Sequence, residues 1–154
     1  MEVLSNIPTL YRLLFLYLEP FLAIGAALQT HFAPTIFLKT MSQTSEYAPD
    51  NQVIYDQVAA LYTLFAFNEA VLLRLTNDIR VWKGVFTGIF ICDILHLHAS
   101  WASLGAEVFW NPRAWRVEDW ANLGALWGLG AVRVAFLAGV GLGQANGRIK
   151  RKQA

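Results

Sequence analysis

Charged residues are scarce in this chain of 154 residues, where Asp, Glu, Lys and Arg together make up only 15%. Soluble domains carry about 25% of these residues, so the deficit argues against a soluble enzyme and against a disordered chain. There is one cysteine, Cys92, which excludes a disulfide within the chain and a CxxC metal or redox motif. The formal net charge of +1 lacks the basic surplus that typifies nucleic-acid-binding proteins.

Hydrophobic residues are abundant instead, and they are grouped. They make up 56% of the chain, and the mean hydropathy is +0.40. Most lie in four runs of about 23 residues, enough for a helix to cross a hydrocarbon core of about 30 Å. Because a backbone in lipid must satisfy its own hydrogen bonds, we predict an all-α membrane protein. It forms one domain, 1–154, a four-transmembrane-helix bundle with spans at about 8–30, 53–75, 81–103 and 120–143.

The connections between the runs differ in character. Residues 31–52 are predicted to form a polar loop, 76–80 a tight turn between antiparallel helices, and 107–119 a loop at the membrane surface, flanked by three tryptophans. The first run is expected to be retained rather than cleaved as a signal peptide. Arg12 and Glu19 interrupt it, and no basic segment precedes it.

Basic residues near the span ends predict the orientation. The side of both termini and the 76–80 turn carries Arg74, Arg80, Lys83, Arg148, Lys150, Arg151 and Lys152. The other side carries Lys39, Arg113 and Arg116. We therefore expect cytosolic termini. The basic tail resembles a dilysine retrieval signal of the endoplasmic reticulum, and an ordinary basic flank explains it equally well.

Ionisable residues inside the predicted spans are the most informative feature. Glu19, Asp93 and Arg133 lie near span midpoints, and Glu69 lies beside Asn68 in the second span. A charge near the bilayer centre costs at least about 2.5–3.5 kcal/mol, so such residues usually face a partner inside the bundle. Arg133 either pairs with Asp93 or Glu19 as a structural ion pair, or contacts a substrate. Three acids against one arginine leave a carboxyl that is expected to keep its proton and to serve as a general acid.

Helical spacing extends this polar centre along two helices. One predicted stripe comprises Asp93, His96, Ser100 and Ser103, and it makes His96 the expected partner of Asp93. The other comprises Tyr55, Tyr62, Glu69 and Thr76, which repeat every seven residues. A purely structural polar core is the alternative explanation for Glu69 and its neighbours.

Two further patterns concern metals and packing. His96 and His98 point to opposite sides of a helix, so no metal site is predicted, and no nucleotide-binding or other cofactor motif is present. Three small-xxx-small pairs predict close helix approach and leave a homodimer open. They are Gly84 and Gly88, Gly124 and Gly128, and Gly139 and Gly143.

Two motifs carry a resemblance to a known family. They are Pro8-x-x-Tyr11-Arg12-Leu13-Leu14-Phe15-x-Tyr17-x-Glu19-Pro20 and Phe67-Asn68-Glu69-Ala70-x-Leu72. The chain resembles, over nearly its whole length, small fungal four-helix integral membrane proteins of unassigned function. Their occurrence near secondary-metabolite genes implies work on a lipophilic natural product. More remotely, the chain is similar to sterol-isomerase-like membrane proteins and membrane-bound meroterpenoid cyclases, which use buried acids on carbocations. None of their residues is carried over.

We therefore expect a small integral membrane enzyme of the endoplasmic reticulum that acts on a terpenoid or other lipophilic substrate. The expected reaction is acid-initiated cyclisation or double-bond isomerisation, without a cofactor. The expected catalytic residues are Glu19, Asp93, His96 and Glu69, and the expected substrate-binding residues are Asn68, Tyr62, Phe65, Trp101, Trp127 and Arg133. The expected partners are a lipophilic small molecule and the lipid bilayer, with no nucleic acid. The alternative is a non-catalytic sterol- or lipid-binding protein, or a scaffold for a neighbouring enzyme.

Overall fold

The computed structural model describes residues 7–76 and 78–142, and the helical class predicted from the sequence is confirmed there. No β-strand occurs within these ranges. The helices are α1 (Thr9–Phe32), α2 (Pro34–Met41), α3 (Gln52–Ala70), α4 (Ile79–Leu104), α5 (Ala106–Phe109) and α6 (Val117–Leu137). Each of α1 and α6 contains one π-helical turn, at Leu14–Leu18 and Trp120–Gly124 respectively.

Three of these helices, α1, α4 and α6, are long and apolar enough to cross a membrane. Their outer faces present large apolar side chains, among them Phe21 (76% exposed), Ile91 and Val134. Apolar surface of this extent is typical of contact with lipid or with a partner, because a soluble monomer rarely exposes it. The second predicted span corresponds to α3, which has 19 residues.

The helix bounds differ from the predicted spans in three places. The 31–52 segment was expected to be a loop, but it contains α2, which begins with Pro34 in the first turn, where proline's fixed φ is favourable. Helix α3, the second predicted span, ends at Ala70 rather than near 75, and a 3-10 turn follows it. The last helix ends at Leu137 rather than near 143, because Gly139 and Gly141 have φ of 83° and 71°, which a continuing α-helix does not permit.

The long helices form two pairs. Helix α1 packs along α3, and α4 packs against α6. The first pair is antiparallel and is tied near both ends. Nδ1 of His31 lies 2.9 Å from Oδ1 of Asp56, and Nη2 of Arg74 donates to the carbonyl of Leu16 at 2.7 Å. α3 therefore accompanies α1 over most of its length.

An aromatic cluster joins the two pairs near the start of α1. Phe15, Trp82, Phe86 and Phe136 have no exposed surface. The ring centroids of Phe15 and Phe86 are 4.1 Å apart, and Phe136 meets Phe15 edge-on at 5.5 Å. Close packing of this kind holds helices together where lipid removes the hydrophobic advantage of association. Among the described residues it also fills the space between the helices at this end of the bundle.

The glycine pairs do not act within one chain as predicted. At Gly84, Gly88 and Gly128, no described atom lies within 4 Å of the position a Cβ would take, so no helix of the same chain approaches closely there. A Cβ on Gly124 would meet its own helix's Trp120. Gly143 and the basic tail lie outside the described residues, and the homodimer stays a prediction.

Candidate functional site

An ion-pair centre lies beyond the aromatic cluster, where α1, α4 and α6 meet. Arg133 contacts the carboxylates of both Glu19 and Asp93. All three side chains are buried, with 4%, 5% and 8% of the surface of Arg133, Glu19 and Asp93 exposed. Arg133 therefore forms the buried ion pair that the sequence predicts, with two acidic partners rather than one. No hydrogen bond or ion pair joins Asp93 to His96, its other predicted partner, within the described residues.

A cavity of about 440 Å³ adjoins this centre, and its size is typical of small-molecule sites. Its floor is formed by Glu19, Glu69, Asp93 and Arg133. Apolar and aromatic side chains form most of its walls, including Phe37, Tyr62, Phe65, Ile89, Leu126 and Leu129. The chain thus forms a largely apolar chamber, partly open to its surroundings, over a charged floor.

Within the part of the chain that the structure describes, Glu69 is the carboxyl on the floor with no cationic partner. It lies in the last turn of α3, only 2% of its surface is exposed, and its side chain lines the cavity. Among the described residues no ion pair involves it, whereas Glu19 and Asp93 share Arg133. A carboxyl in this position is available to donate a proton to a bound molecule.

The far end of the cavity is also polar, but no carboxylate lines it among the described residues. Gln29 of α1, Thr40 of α2 and Asn122 of α6 line the cavity here, whereas His96 of α4 lines it one helical turn beyond Asp93. Nδ2 of Asn122 lies 3.5 Å from Oγ of Ser100, and Oγ1 of Thr40 donates to the carbonyl of Phe37 at 2.7 Å. Neutral hydrogen-bonding groups therefore stand opposite the charged floor.

The cavity opens sideways, between α1 and α6. Its exposed lining residues are all on these two helices: Phe21, Leu22 and Gly25 on α1, and Ala121 and Ala125 on α6. The lining residues on α2, α3 and α4 are buried or half-buried. Because α1 and α6 are both apolar enough to span a membrane, this opening faces the region that lipid would occupy.

Helix α2 covers the end of the cavity that lies furthest from the aromatic cluster. It is held by the start of α6, where Arg116 forms an ion pair with the buried Asp119 at 2.8 Å. Nη2 of Arg116 donates to the carbonyl of Lys39 at 3.0 Å, and Nε2 of Gln43 donates to Asp119 at 3.2 Å. These bonds fix Phe37 and Met41 of α2 over the chamber.

Comparison with known proteins places the chain in a family. The family model described as Domain of unknown function (DUF7704) matches residues 4–143. The chain belongs to this family. No curated protein and no solved structure matches it. The DUF7704 region contains every residue that lines the cavity and the segment that covers it.

The structure brings seven of the ten predicted site residues around the one cavity. These are Glu19, Tyr62, Phe65, Glu69, Asp93, His96 and Arg133. Asn68, the neighbour of Glu69, is half-buried and is not part of the lining. Four residues of the two predicted stripes are also absent from the lining, namely Tyr55, Thr76, Ser100 and Ser103.

Trp101 and Trp127, predicted to bind the substrate, do not line the cavity beside the ion-pair centre. Both are about two-fifths exposed and lie with Phe109 and Trp110 in a separate shallow depression. At about 100° per residue, Trp101 is turned about 80° from Asp93, and Trp127 about 120° from Arg133. Both tryptophans therefore lie outside the helix face that carries the charged centre.

Sequence reasoning missed the far polar end, although the signal was present. Glu19, Leu22, Ala26 and Gln29 follow steps of three, four and three residues and all line the cavity. Arg133, Leu129, Leu126 and Asn122 follow steps of four, three and four and do the same. Following the same helix face outward from Glu19 and from Arg133 would have identified Gln29 and Asn122 as lining residues.

Proposed function

We propose that this chain is a membrane enzyme that acts on a lipophilic substrate, of terpenoid type, by acid-initiated cyclisation or double-bond isomerisation. The observation that carries the proposal is the pairing pattern on the cavity floor. Two of the three acids share Arg133, and Glu69 faces the chamber without a cation. The resemblance to small fungal membrane proteins found near secondary-metabolite genes supports the substrate class.

In the proposed reaction Glu69 is the proton donor. Its O–H bond breaks as a C–H bond forms at one carbon of a substrate double bond, and the neighbouring carbon becomes a cation. In isomerisation, an adjacent C–H bond then returns its proton to the Glu69 carboxylate and a shifted double bond forms. In cyclisation, a second double bond attacks the cation before the proton is returned. The atoms and electrons balance without an oxidant, reductant or cofactor.

The surroundings of Glu69 suit such an intermediate. The ion-pair centre of Glu19, Asp93 and Arg133 carries a formal charge of −1, and the Glu69 carboxylate adds another once its proton is transferred. Preorganised negative charge in a site that excludes water lowers the energy of a developing cation. The rings of Tyr62 and Phe65 line the same chamber and can add cation–π stabilisation.

The sideways opening supports a substrate that arrives from the bilayer. A lipophile dissolved in lipid meets the gap between α1 and α6 directly, and its entry does not require passage through water. The charged floor then lies deep within the chamber, beneath apolar walls. A water-soluble substrate would not need this arrangement.

For the whole chain we propose four spans, with α3 as the fourth, and cytosolic termini in the endoplasmic reticulum membrane. The antiparallel contact of α3 along α1, tied at His31–Asp56 and at Leu16–Arg74, supports a crossing of similar depth. The basic residues that flank the 76–80 turn support the orientation.

The test is Glu69→Gln, which preserves size but removes the acid. The variant is expressed in place of the natural chain in its host, and lipophilic products are profiled by mass spectrometry. We expect product formation to fall by about 10²–10⁴, with a melting temperature in detergent close to that of the unchanged protein. Glu46→Gln, at an exposed position in the loop after α2, is the matched control.

Two results would overturn the proposed chemistry. One is a folded Glu69→Gln protein, present at normal level, with an unchanged product profile. The other is an equal loss in the Glu46→Gln control. Either result would favour the non-catalytic alternative, in which the cavity binds a sterol or other lipid and Glu69 is part of a polar core.

A further inference from the structure

The cavity has two polar ends, and we infer that its ligand is an elongated neutral lipophile with a hydroxyl or carbonyl group at one end and its reactive double bond about 15 Å away. This inference names the substrate class of the proposed function and rests on it for the double bond. The separation of the two ends indicates the length of the ligand, the distribution of charge indicates that it is neutral, and the walls indicate that its skeleton is apolar.

The length follows from the register of two helices. Glu19 and Gln29 lie ten residues apart on α1, and Arg133 and Asn122 lie eleven residues apart on α6, with all four lining the cavity. At about 1.5 Å rise per residue, both helices place the amide end about 15–17 Å from the charged floor. A ligand that contacts Glu69 and the amides together must span this distance.

The amide end selects for a neutral polar group. Gln29 and Asn122 offer amide donors and acceptors, which pair equally well with a hydroxyl or a carbonyl. Among the described residues that line the cavity, Arg133 is the only Lys or Arg, and it is already paired with two acids on the floor. A phosphate or diphosphate ester would therefore find no free cation along the cavity, and burying its charge unpaired would be costly.

The middle of the chamber requires an apolar skeleton. Between the two ends its walls include Phe65, Ile89, Leu126 and Leu129. A polar group at mid-length would have only the hydroxyl of Tyr62 and the ring of His96 as hydrogen-bonding partners among the described lining residues, whereas two amides stand at the far end. The polar group of the ligand is therefore placed at its end.

The experiment measures binding of linear isoprenoids to the purified chain in lipid nanodiscs, with empty nanodiscs as the blank. The probes are geraniol, farnesol and geranylgeraniol, together with farnesene, which lacks the hydroxyl, and farnesyl diphosphate. We expect at least one alcohol to bind. We expect farnesol to bind about 2- to 12-fold more tightly than farnesene, the value of one net hydrogen bond. Farnesyl diphosphate should bind more weakly than farnesol.

Variants at the amide end assign this preference to named residues. In Gln29→Leu and Asn122→Leu the preference for alcohol over hydrocarbon should shrink, while farnesene binding is retained or improved. Gln57→Leu, an exposed position on α3 outside the cavity, should keep the preference. Glu69→Gln should keep it as well, because that residue lies at the other end.

The outcomes separate this inference from the proposed chemistry. Absence of binding by all three alcohols, an equal affinity for farnesol and farnesene, or a full preference in both leucine variants would overturn the inference. A Glu69→Gln protein that binds farnesol normally and still forms product would instead overturn the catalytic role, and would leave the shape and polarity of the ligand as inferred.

Discussion

At the scale of single residues, Arg133 organises the interior. Among the described residues it meets two buried carboxylates from two different helices, Glu19 of α1 and Asp93 of α4. The sequence predicts that a central arginine needs a carboxylate. It does not decide between the acids, because that choice depends on how three helices rotate against one another. The double pairing is what leaves Glu69 as the free acid.

Removing Arg133 should destabilise the bundle strongly. Arg133→Met leaves two buried carboxylates uncompensated, and breaking a buried pair in this way costs about 3–5 kcal/mol. Adding Asp93→Asn or Glu19→Gln should recover part of the loss, with a coupling energy of about 0.5–3 kcal/mol in each double-mutant cycle. The free energies of unfolding are measured by denaturant titration in mixed micelles.

The control for this cycle is Arg12→Met. Arg12 is exposed on α1, so its loss should change stability far less than the loss of Arg133. Strictly additive effects in both cycles would show that Arg133 does not stabilise the fold through these acids. If only one of the two cycles shows a coupling energy, the acid in that cycle is the partner through which Arg133 stabilises the fold.

Other residues show which positions helical spacing predicts and which it does not. The placement of Tyr62, Phe65 and His96 in the cavity follows from helical faces that the sequence makes visible. The outward position of Trp101 and Trp127 follows from the same geometry. The hypothesis of cation–π contacts selected them because they are aromatic, without regard to the helix face on which they lie. Residue type without angular position is therefore a weak guide to this site.

At the scale of helices, α2 is the element that is least predictable from the sequence. Polar residues surround it, and eight residues provide little periodicity. Yet Pro34 and Phe37 are buried, and Pro34 occupies the favourable first turn. Its position over the chamber depends on Arg116 and Asp119, which are distant along the chain. No local pattern indicates that contact.

The gap between α1 and α6 should control access to the chamber. Cys92 lines the cavity and is the single cysteine of the chain, so its reaction with a membrane-permeant maleimide reports entry. Gly25 lines the gap, and no described atom beyond its own helix backbone and chain neighbours lies within 4 Å of the position its Cβ would take. Gly25→Phe should therefore fold normally and slow the labelling of Cys92 several-fold, measured by intact mass over time in nanodiscs.

Gly84→Phe is the matched control for this blockage. Gly84 is equally free of neighbouring described atoms, but it does not line the cavity. Its substitution should leave the labelling rate unchanged. Equal rates in Gly25→Phe and in the unchanged protein would mean that the chamber is entered by another route, and the bilayer-facing entrance would have to be abandoned.

At the scale of the whole molecule, the chain is organised in successive levels. An aromatic cluster closes one end, the ion-pair centre follows, the chamber lies beyond it, and α2 covers the other end. The helical class, the polar centre and seven of the residues that line the cavity are predictable from composition and helical spacing. The pairing of helices, the side on which the chamber opens and the segment that covers it arise from contacts between distant residues.

The final prediction concerns membrane topology. The chain has no N-x-S/T sequon, so glycosylation reporters on flexible linkers can be inserted singly at Ser45, after Thr76 and after Ala154. Because basic residues flank the 76–80 turn, we expect modification at Ser45 alone when the chain is expressed in microsomes. Modification at both Ser45 and Thr76 would mean that α3 does not cross the bilayer. Modification after Thr76 and Ala154 but not at Ser45 would invert the proposed orientation and place the basic tail in the lumen, where a retrieval signal read from the cytosol has no use.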